Sequence, residues 1–377
     1  MNIEQNKING TTPLMAVIFI NLLFLIKYLQ RVSTEVELVG CGLYLAGCVA
    51  CFVLHKKSLG KSLICLFSAV ILILVSLLFI VSLDDFQSDR WKIIKLFWDS
   101  IENGKNPYMQ LTDYGNPIGA MPVYFLLFAP FHYLGEISIS VFVLIFTLLF
   151  LIIRNFGRES GFRFILLVIL GIPLYWETAC RSTLIVNSVV FLLAFLLLDK
   201  INKEDMMSNI KIFFLIGLLL CTRTVFVLPL IVYFAYLLKR ESFAKILLYG
   251  TVLVVAYLMP MLPFFAMWPN EMVSQNPYLT QGGNLIPFWS IIMLCLISLL
   301  FGFKSRNFKD VMWWSAVMLA MAGFVHILWI SSIYTFPKAY FGNIADISYM
   351  LFSYVFFGYI FIESGKTKTE ARIGTHK

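Results

Sequence analysis

Long apolar runs alternate with short polar stretches along almost the whole chain. Most runs approach the roughly 20 residues that a helix needs to cross about 30 Å of hydrocarbon. Backbone amides in lipid must be satisfied within their own segment, and uniform runs of this length favour helices over barrel strands. The pattern predicts an all-α polytopic membrane protein with about 12 transmembrane helices. The candidate spans are 14–30, 36–54, 62–83, 118–134, 137–153, 164–178, 184–199, 211–238, 246–265, 286–303, 312–333 and 345–363.

The polar stretch 84–117 separates two of these runs and contains a helical pattern of its own. Apolar and charged positions recur there at spacings of three and four, which predicts an amphipathic helix over 88–103. Ser88 or Asp89 suits the helix start, and Asn103-Gly104 suits its end. A tryptophan face opposite a lysine face is typical of a helix in the plane of the membrane surface. The faces are Trp91, Ile94, Trp98, Ile101 and Lys92, Lys95, Asp99, Glu102.

The overall composition supports the membrane class. Hydrophobic residues make up 60% of the chain and charged residues 13%, whereas about a quarter of the residues in soluble proteins are charged. The mean hydropathy is +0.85. The net charge of +8 comes from lysines and arginines scattered through short loops, where such residues fix orientation. This distribution argues against a nucleic-acid-binding surface.

Basic residues orient the predicted spans. The basic segment 55–61 precedes the third span and the basic tail 366–377 follows the last, so both are expected in the cytoplasm. The third span then runs outward, and the 84–117 loop faces away from the cytoplasm. The polar loops 266–285 and 334–344 are expected on the same outer side.

The middle of the chain permits two arrangements. With twelve simple crossings, the basic loops 154–163 and 200–211 fall outside, against the tendency of lysine and arginine to remain in the cytoplasm. If the proline-containing run 118–134 enters the membrane without crossing it, both loops move inside. To keep the later loops and the C-terminal tail on their expected sides, the run 211–238 must then divide into two crossings near Thr222-Arg223-Thr224. The sequence alone leaves both arrangements open.

Asp89 is the leading candidate for chemistry in the outer loop. A carboxylate at the membrane edge, outside the cytoplasm, can accept a proton from a hydroxyl group. Asp85 and Asp99 in the same stretch are the alternative bases. The competing interpretation is that Asp89 only caps the helix over 88–103, which is a common use of aspartate.

Arg223 is the second candidate because it interrupts the apolar stretch 212–234. A charge inside a span costs at least about 2.5–3.5 kcal/mol on insertion scales, so such a residue usually faces the bundle interior and pairs. A guanidinium suits a phosphate group, since it offers bidentate donors and a permanent charge. The competing interpretation is a structural ion pair with a buried acid such as Glu177. His326, in the run 312–333, can donate a hydrogen bond or a proton to a phosphate.

Several other functional classes lack their sequence signatures. The four histidines include no pair at i, i+4, and no cluster of residues has metal-ligand spacing. The chain has no Walker loop, no G-x-G-x-x-G after a strand and no G-x-S-x-G. We therefore expect no metal and no nucleotide cofactor. An enzyme of this kind needs a substrate that is already activated and arrives through the membrane.

Short motifs accompany these candidates. Asp89 is followed by Gly104-Lys105-Asn106-Pro107-Tyr108, and then by Pro122-Val123-Tyr124 with Pro130. This set resembles the D…G-x-x-P-Y…Y-P-P pattern in the first outer loop of GT-C fold glycosyltransferases that use polyprenyl-phosphate mannose. Asn276-Pro277-Tyr278 with Gln281 resembles the family's downstream substrate loop, and Cys221-Thr222-Arg223 resembles its basic residue facing the lipid phosphate. Two spans precede the usual first helix, and the Y-P-P element is reduced.

The resemblance implies a division of the chain into three segments. Residues 1–61 would form extra N-terminal transmembrane helices. Residues 62–290 would form a GT-C-like catalytic module with the outer loops 84–117 and 266–285. Residues 291–377 would form C-terminal transmembrane helices and a basic cytoplasmic tail.

The resemblance also implies a hexosyltransferase of the cell (inner) membrane. A hexose such as mannose would pass from a polyprenyl-phosphate donor to a lipid or glycan acceptor on the side away from the cytoplasm. Asp89 would deprotonate the acceptor, Arg223 with His326 would stabilise the departing phosphate, and Tyr108 and Gln281 would bind substrate. The expected partners are donor, acceptor and membrane, without nucleic acid, cofactor or metal.

Two other functions remain open from the sequence. A polysaccharide polymerase or ligase is also a multi-span protein with a large outer loop, and it would transfer a lipid-linked glycan whole. A transporter or flippase would move a lipid-linked glycan without chemistry. The size of the product distinguishes a polymerase or ligase from a hexosyltransferase. A transporter or flippase would tolerate the loss of Asp89 more readily than an enzyme would.

Overall fold

The chain folds as a bundle of α-helices. The computed structural model describes most of it, in these ranges: 10–30, 32–56, 60–81, 89–201, 205–283, 286–342 and 344–365. Asp85, one of the alternative bases, lies outside them. The described ranges contain no β-strand beyond an isolated bridge between Leu111 and Pro117. The all-α class predicted from the sequence is therefore confirmed.

The helices are named in chain order. They are α1 (Thr11–Leu29), α2 (Thr34–Lys56), α3 (Gly60–Ile80), α4 (Arg90–Glu102), α5 (Pro122–Tyr133), α6 (Ile139–Phe156), α7 (Arg158–Ile169), α8 (Ile172–Ala179), α9 (Leu184–Leu196), α10 (Met206–Leu220), α11 (Val227–Leu237), α12 (Phe243–Leu258), α13 (Leu262–Met267), α14 (Pro269–Ser274), α15 (Pro277–Gly283), α16 (Phe288–Lys304), α17 (Phe308–Ile333), α18 (Phe336–Phe341) and α19 (Met350–Glu363).

Length and composition single out the helices that suit a membrane. Within the described residues, four are long and apolar enough to cross one: α1, α6, the α12–α13 unit (Phe243–Met267) and α17. The α7–α8 pair, bent by 58° at a short break, is a possible fifth. Several shorter apolar helices accompany them, α10, α16 and α19 among others. These helices indicate a membrane-embedded protein.

One end of the bundle, called the site end below, gathers the predicted outer loops. It consists of the segments 89–121, 268–283 and 334–349. The Arg90 guanidinium lies 2.6 Å from the Asp346 carboxylate, which joins the first segment to the third. The Asn106 side-chain amide donates to the Met272 sulfur at 3.7 Å, which joins the first to the second. These contacts agree with the expectation that the three polar loops share one side.

The opposite end, called the basic end below, consists of the segments 154–163, 198–201, 238–242, 303–309 and 361–365. Arg163 Nη1 donates to the Phe361 carbonyl oxygen at 3.1 Å. The Tyr233 hydroxyl, near the end of α11, donates to the Leu198 carbonyl oxygen at 3.2 Å. The two basic loops of the middle region therefore lie at the end where the C-terminal helix finishes.

Contacts of α5 and a break after α10 bear on how the middle of the chain runs. At the C-terminal end of α5, the Tyr133 hydroxyl donates to Glu102 of α4 at 2.9 Å, so this end of the helix stays beside the site end. The Tyr124 hydroxyl of α5 lies 2.6 Å from the Thr183 hydroxyl at the site end. Between α10 and α11, Arg223 adopts an extended conformation (φ −155°, ψ 120°) that breaks the run 211–238. Both features match the arrangement in which 118–134 does not cross.

The first helix packs against the last part of the chain. Lys27 Nζ of α1 donates to the Ala345 carbonyl oxygen at 2.6 Å. The Asn21 side-chain oxygen accepts from the Ile172 amide at 2.8 Å, so α1 satisfies a donor freed by the α7–α8 break. Residues from all three expected segments therefore share one hydrophobic core.

The predicted amphipathic helix corresponds to α4, which begins two residues later and ends one residue earlier. Its buried face contains Ile94 and Phe97, and the Phe97 ring stacks on Phe125 of α5 with centroids 3.7 Å apart. Gly104 follows with φ +66°, a left-handed conformation that glycine adopts without strain and that commonly ends a helix. The apolar face thus packs on α5, and its contact with a membrane surface stays a prediction.

Candidate functional site

Asp89 occupies the N-cap position of α4 but makes no side-chain capping bond. Its Oδ2 instead accepts from Asn116 Nδ2 at 2.7 Å and from Thr112 Oγ1 at 3.2 Å. Both donors are neutral and belong to the tight loop that follows α4, where Gly115 has φ +77°. The half-buried carboxylate is therefore oriented by neutral groups, and the capping interpretation does not describe its side chain.

The alternative base Asp99 has a different environment. It is exposed on α4, ten residues after Asp89, which places it about 15 Å further along the chain axis. Its face of the helix is opposite to Phe97, which packs into the bundle. Asp99 therefore does not share the surroundings of Asp89.

Arg90, the residue next to Asp89, links three separate parts of the fold. Its Nη1 donates to Glu177 Oε1 at 2.8 Å and to Ser182 Oγ at 2.9 Å, and its Nη2 donates to Asp346 Oδ2 at 2.6 Å. Glu177 is fully buried, and its Oε2 accepts from the Leu184 amide at the start of α9 at 3.1 Å. A buried ion pair is tolerated when hydrogen bonds satisfy its remaining atoms, as they do here. The network fixes the start of α4 and hence Asp89.

Asp346 is the structural anion of this network. Its Oδ1 accepts from the Ser348 amide at 2.9 Å. Burial alone raises the pKa of the Asp346 carboxyl, but the Arg90 guanidinium and the Ser348 hydrogen bonds outweigh that effect and hold the pKa at about 2. A carboxylate with so low a pKa is a weak base at neutral pH. Asp346 is therefore suited to hold Arg90 and not to accept a substrate proton.

The low pKa of Asp346 predicts how its contribution to stability depends on pH. A carboxyl whose folded-state pKa is depressed from 3.8 to about 2 stabilises the fold above its unfolded pKa and loses this effect as pH falls through the folded value. We expect D346N to lower the Tm by a constant amount from about pH 5 to 8, with the difference shrinking between about pH 4 and 2. Thermal unfolding of both proteins across this range checks it. A difference that disappears above pH 5 would contradict the assigned network.

His326 contributes to the fold through one ring nitrogen. Its side chain is buried in α17, and its Nε2 accepts from the Asp346 backbone amide at 3.2 Å. The His326 ring also lies 5.2 Å from the Tyr349 ring, centroid to centroid. A neutral ring that accepts at Nε2 carries its proton on Nδ1. Nε2 therefore positions the segment around Asp346, and the role of His326 at a phosphate stays a prediction.

Arg223 lies half-buried in the break between α10 and α11. Its guanidinium carbon is 5.6 Å from the centroid of the Tyr124 ring, and its buried Nε has no hydrogen-bond partner. The ion pair with Glu177 that the sequence allowed is not formed, because Glu177 holds Arg90. Over the described ranges, no carboxylate lies within 4.0 Å of the Arg223 guanidinium.

Arg181 provides the contrast. It is buried at the end of α8 in a left-handed conformation (φ 50°). Its Nη1 and Nη2 donate to the carbonyl oxygens of Ala179 and Leu78 at 2.8 and 2.7 Å, and its Nε lies 3.6 Å from Glu136. Arg181 and Arg90 thus have carboxylate partners within the protein. Among these three arginines, Arg223 differs in having no carboxylate within 4.0 Å over the described ranges.

A chain of contacts links Arg223 to the start of α4. The Arg223 guanidinium lies over the Tyr124 ring, and the Tyr124 hydroxyl lies 2.6 Å from the Thr183 hydroxyl. Ser182, the residue before Thr183, accepts a hydrogen bond from Arg90 at 2.9 Å, and Arg90 follows Asp89 in the chain. Loops far apart in the sequence therefore place the candidate base and the candidate phosphate-binding cation in one connected network.

Buried donors without acceptors line the neighbouring part of the site end. Gln281 Oε1 accepts from the Thr224 amide at 3.0 Å, beside Arg223, but its Nε2 has no partner. The hydroxyls of Tyr108 and Tyr278 are also buried and unpartnered. Burial raises the pKa of both phenols, so they remain protonated and able to donate. Unmatched buried donors are unfavourable unless a ligand or water supplies oxygen acceptors.

Sequence reasoning missed several residues of this cluster. Asp346 lies at the beginning of a predicted span, and Arg90 and Tyr349 lie beside residues with stronger signals. The sequence pointed to Glu177 only as a partner for Arg223, whereas the structure pairs it with Arg90. The usable signal was the presence of a carboxylate inside an apolar run, since such residues are rare and usually paired.

Neither a search for metal-binding groups nor comparison with known proteins identifies further residues of the candidate site. In the part of the chain that the structure describes, no three His, Cys, Asp or Glu side chains form a group that could hold a metal ion. Comparisons of the chain with protein-family models, with curated proteins and with solved structures found no match.

Proposed function

We propose that the protein is a membrane glycosyltransferase that moves a hexose, such as mannose, from a polyprenyl-phosphate donor to a hydroxyl of a lipid or glycan acceptor. The observation that supports the proposal is the chain of contacts from Arg223 through Tyr124, Thr183 and Ser182 to Arg90, the residue next to Asp89. Asp89 is a carboxylate held only by neutral donors, and Arg223 is a half-buried guanidinium without a counter-ion among the described residues. A base and a vacant cation are the two charged groups that this transfer requires.

The reaction follows from these two charges. The Asp89 carboxylate takes the proton of the acceptor hydroxyl, and the acceptor oxygen attacks the anomeric carbon of the sugar. The bond between that carbon and the phosphate oxygen breaks, and its electron pair stays on the lipid phosphate. In-line displacement inverts the anomeric centre. Arg223 stabilises the charge that collects on the phosphate, where a fixed donor has its largest effect.

The unmatched donors of the site end suit a ligand rich in oxygen. Gln281 Nε2 lies on the side chain that also caps the Thr224 amide, next to Arg223. The Tyr108 and Tyr278 hydroxyls are both buried without a hydrogen-bond partner. We assign these three donors to the sugar and phosphate oxygens of the donor substrate, which would supply the acceptors that they lack.

We further propose twelve membrane passages. They are α1, α2, α3, α6, α7 with α8, α9, α10, α11, α12 with α13, α16, α17 and α19. In this arrangement α5 stays at the site end, and every basic loop of the middle region joins the basic end, as the positive-inside rule favours. The protein lies in the cell (inner) membrane, with its basic end facing the cytoplasm and its site end facing away from the cytoplasm.

The test is to incubate the purified protein with a panel of polyprenyl-phosphate sugars and a mixture of lipid and glycan acceptors. We expect one hexose donor to be consumed, with release of polyprenyl phosphate and addition of a single hexose to the acceptor. Transfer of an intact glycan would identify a polymerase or ligase instead. Movement of donors across a vesicle membrane without chemical change would identify a transporter, and either result would overturn the proposal.

A further inference from the structure

A large apolar cavity extends along α9 to the basic end, and neither Asp89 nor Arg223 lines it. Its volume is about 880 Å³, within the range of ligand pockets in proteins, and its walls come mainly from α6, α7, α9, α17 and α19. Along α9 and the turn after it, the lining runs from Ile185 to Lys200, about 22 Å at 1.5 Å per residue. The deep walls are aliphatic and aromatic. Exposed polar residues of both charge signs mark the mouth at the basic end: Asn155, Asp199, Lys200, Asn307 and Lys309.

An apolar cavity of this size needs an occupant. Protein interiors are packed as densely as organic crystals, with few voids larger than a water molecule. Water does not stabilise a space lined by Leu, Ile, Val and Phe, because it finds too few polar partners there. Leaving the space empty would forfeit the dispersion contacts of the whole lining.

The ends of this chain are poor candidates for that occupant. The described part of the chain ends at Gly365, close to the mouth, because Glu363 lines the cavity. The sequence of the segment 366–377, KTKTEARIGTHK, contains five basic or acidic residues and a histidine but few apolar ones. The segment 1–9, MNIEQNKIN, is similarly polar. Burying such side chains among aliphatic groups without partners is unfavourable.

The mouth offers charges for a phospholipid headgroup. Lys200 and Lys309 both line it. The Lys309 ammonium is 4.0 Å from Glu363 at the limit of an ion pair, and its side chain is 71% exposed, so it can turn to another anion. Lysines that flank membrane helices extend to the headgroups and attract anionic lipid. A phosphate between the two lysines would leave its hydrocarbon pointing into the cavity.

We infer that the cavity binds one anionic phospholipid from the leaflet at the basic end, with hydrocarbon chain inside and phosphate at Lys200 and Lys309. The lining of the cavity contains neither Asp89 nor Arg223 and none of the unpartnered donors of the site end. The site is therefore separate from the donor site of the proposed function and does not depend on it.

The test is native mass spectrometry of the full chain purified in mild detergent. We expect about one phospholipid to remain bound per chain. Val189, buried on α9, lines the cavity, so V189W should place an indole in the path of the hydrocarbon chain and reduce the bound lipid. The double variant K200E/K309E should reduce retention at least tenfold without altering the cavity walls. The matched control K211E changes an exposed lysine of α10 outside the cavity and should retain lipid like the wild type.

The outcomes separate the possible sources of lipid. Delipidated protein mixed with phosphatidylglycerol vesicles should regain one lipid, and the same protein offered polyprenyl phosphate in detergent should not fill the site. Preferential retention of polyprenyl phosphate would overturn the phospholipid assignment. Equal retention by the wild type and K200E/K309E would show lipid bound only around the bundle, and so would retention by a folded V189W. If V189W does not fold, lipid retention by K200E/K309E compared with K211E still tests the proposal.

Discussion

D89N is expected to lower the rate of hexose transfer by about 10²–10⁴-fold, the usual contribution of a general base. Asparagine preserves the size of the side chain and can still accept from Asn116, so the loop after α4 should remain in place. It cannot take up the acceptor proton at neutral pH. The measurement is the initial rate of polyprenyl phosphate release, made together with thermal unfolding to show that the variant is folded.

The matched control for D89N is D99N. Asp99 is exposed on the same helix, about 15 Å further along it, and its loss should leave the rate unchanged. Retained activity in D89N, with loss in D99N or D85N, would move the base to another carboxylate. Loss in all three variants together with lowered thermal stability would indicate damage to the fold and would leave Asp89 without a specific role.

R223Q is expected to reduce kcat by about 10²–10³-fold, as does removal of a fixed donor that stabilises charge in the transition state. R223K should recover only part of this loss, because a lysine keeps the charge but not the paired donors of a guanidinium. The reason for the large effect is that Arg223 has no protein carboxylate within 4.0 Å over the described ranges. Steady-state kinetics with the lipid-linked donor provide both kcat and KM.

The control for R223Q is K92Q. Lys92 lies at the same end but binds Asp113 at 2.6 Å, so its charge is already neutralised, and its loss should leave kcat unchanged. A change in KM alone in R223Q would restrict Arg223 to donor binding in the ground state. Unchanged kcat and KM in R223Q would remove Arg223 from the site and would leave its burial unexplained.

The contrast among the three arginines of the site end gives the expected effects their physical basis. Arg90 and Arg181 are stabilised by buried or half-buried carboxylates and by carbonyl oxygens. A buried charge without such partners is costly, and proteins usually neutralise or pair it. Arg223, which lies over the Tyr124 ring but has no carboxylate within 4.0 Å over the described ranges, therefore suggests that an anionic ligand completes its surroundings.

Local patterns in the sequence predicted parts of this site well. The spacing of Trp91, Ile94 and Trp98 predicted α4, because an amphipathic helix is encoded by residues three and four apart. Gly104 predicted where the helix ends, since few other residues adopt a positive φ readily. Charge distribution also predicted that the polar loops share one end, because each apolar helix reverses the direction of the chain.

The sequence by itself determined the helical membrane class, the position of α4 and the presence of a charge inside an apolar run, because these depend on composition and local periodicity. Tertiary structure alone decided which charges meet. It paired Glu177 with Arg90 and not with Arg223, directed the Asp89 carboxylate away from its own helix, and made His326 an acceptor. The pairing of charges depends on distances between helices that are remote in the chain, and the hydropathy pattern does not predict those distances.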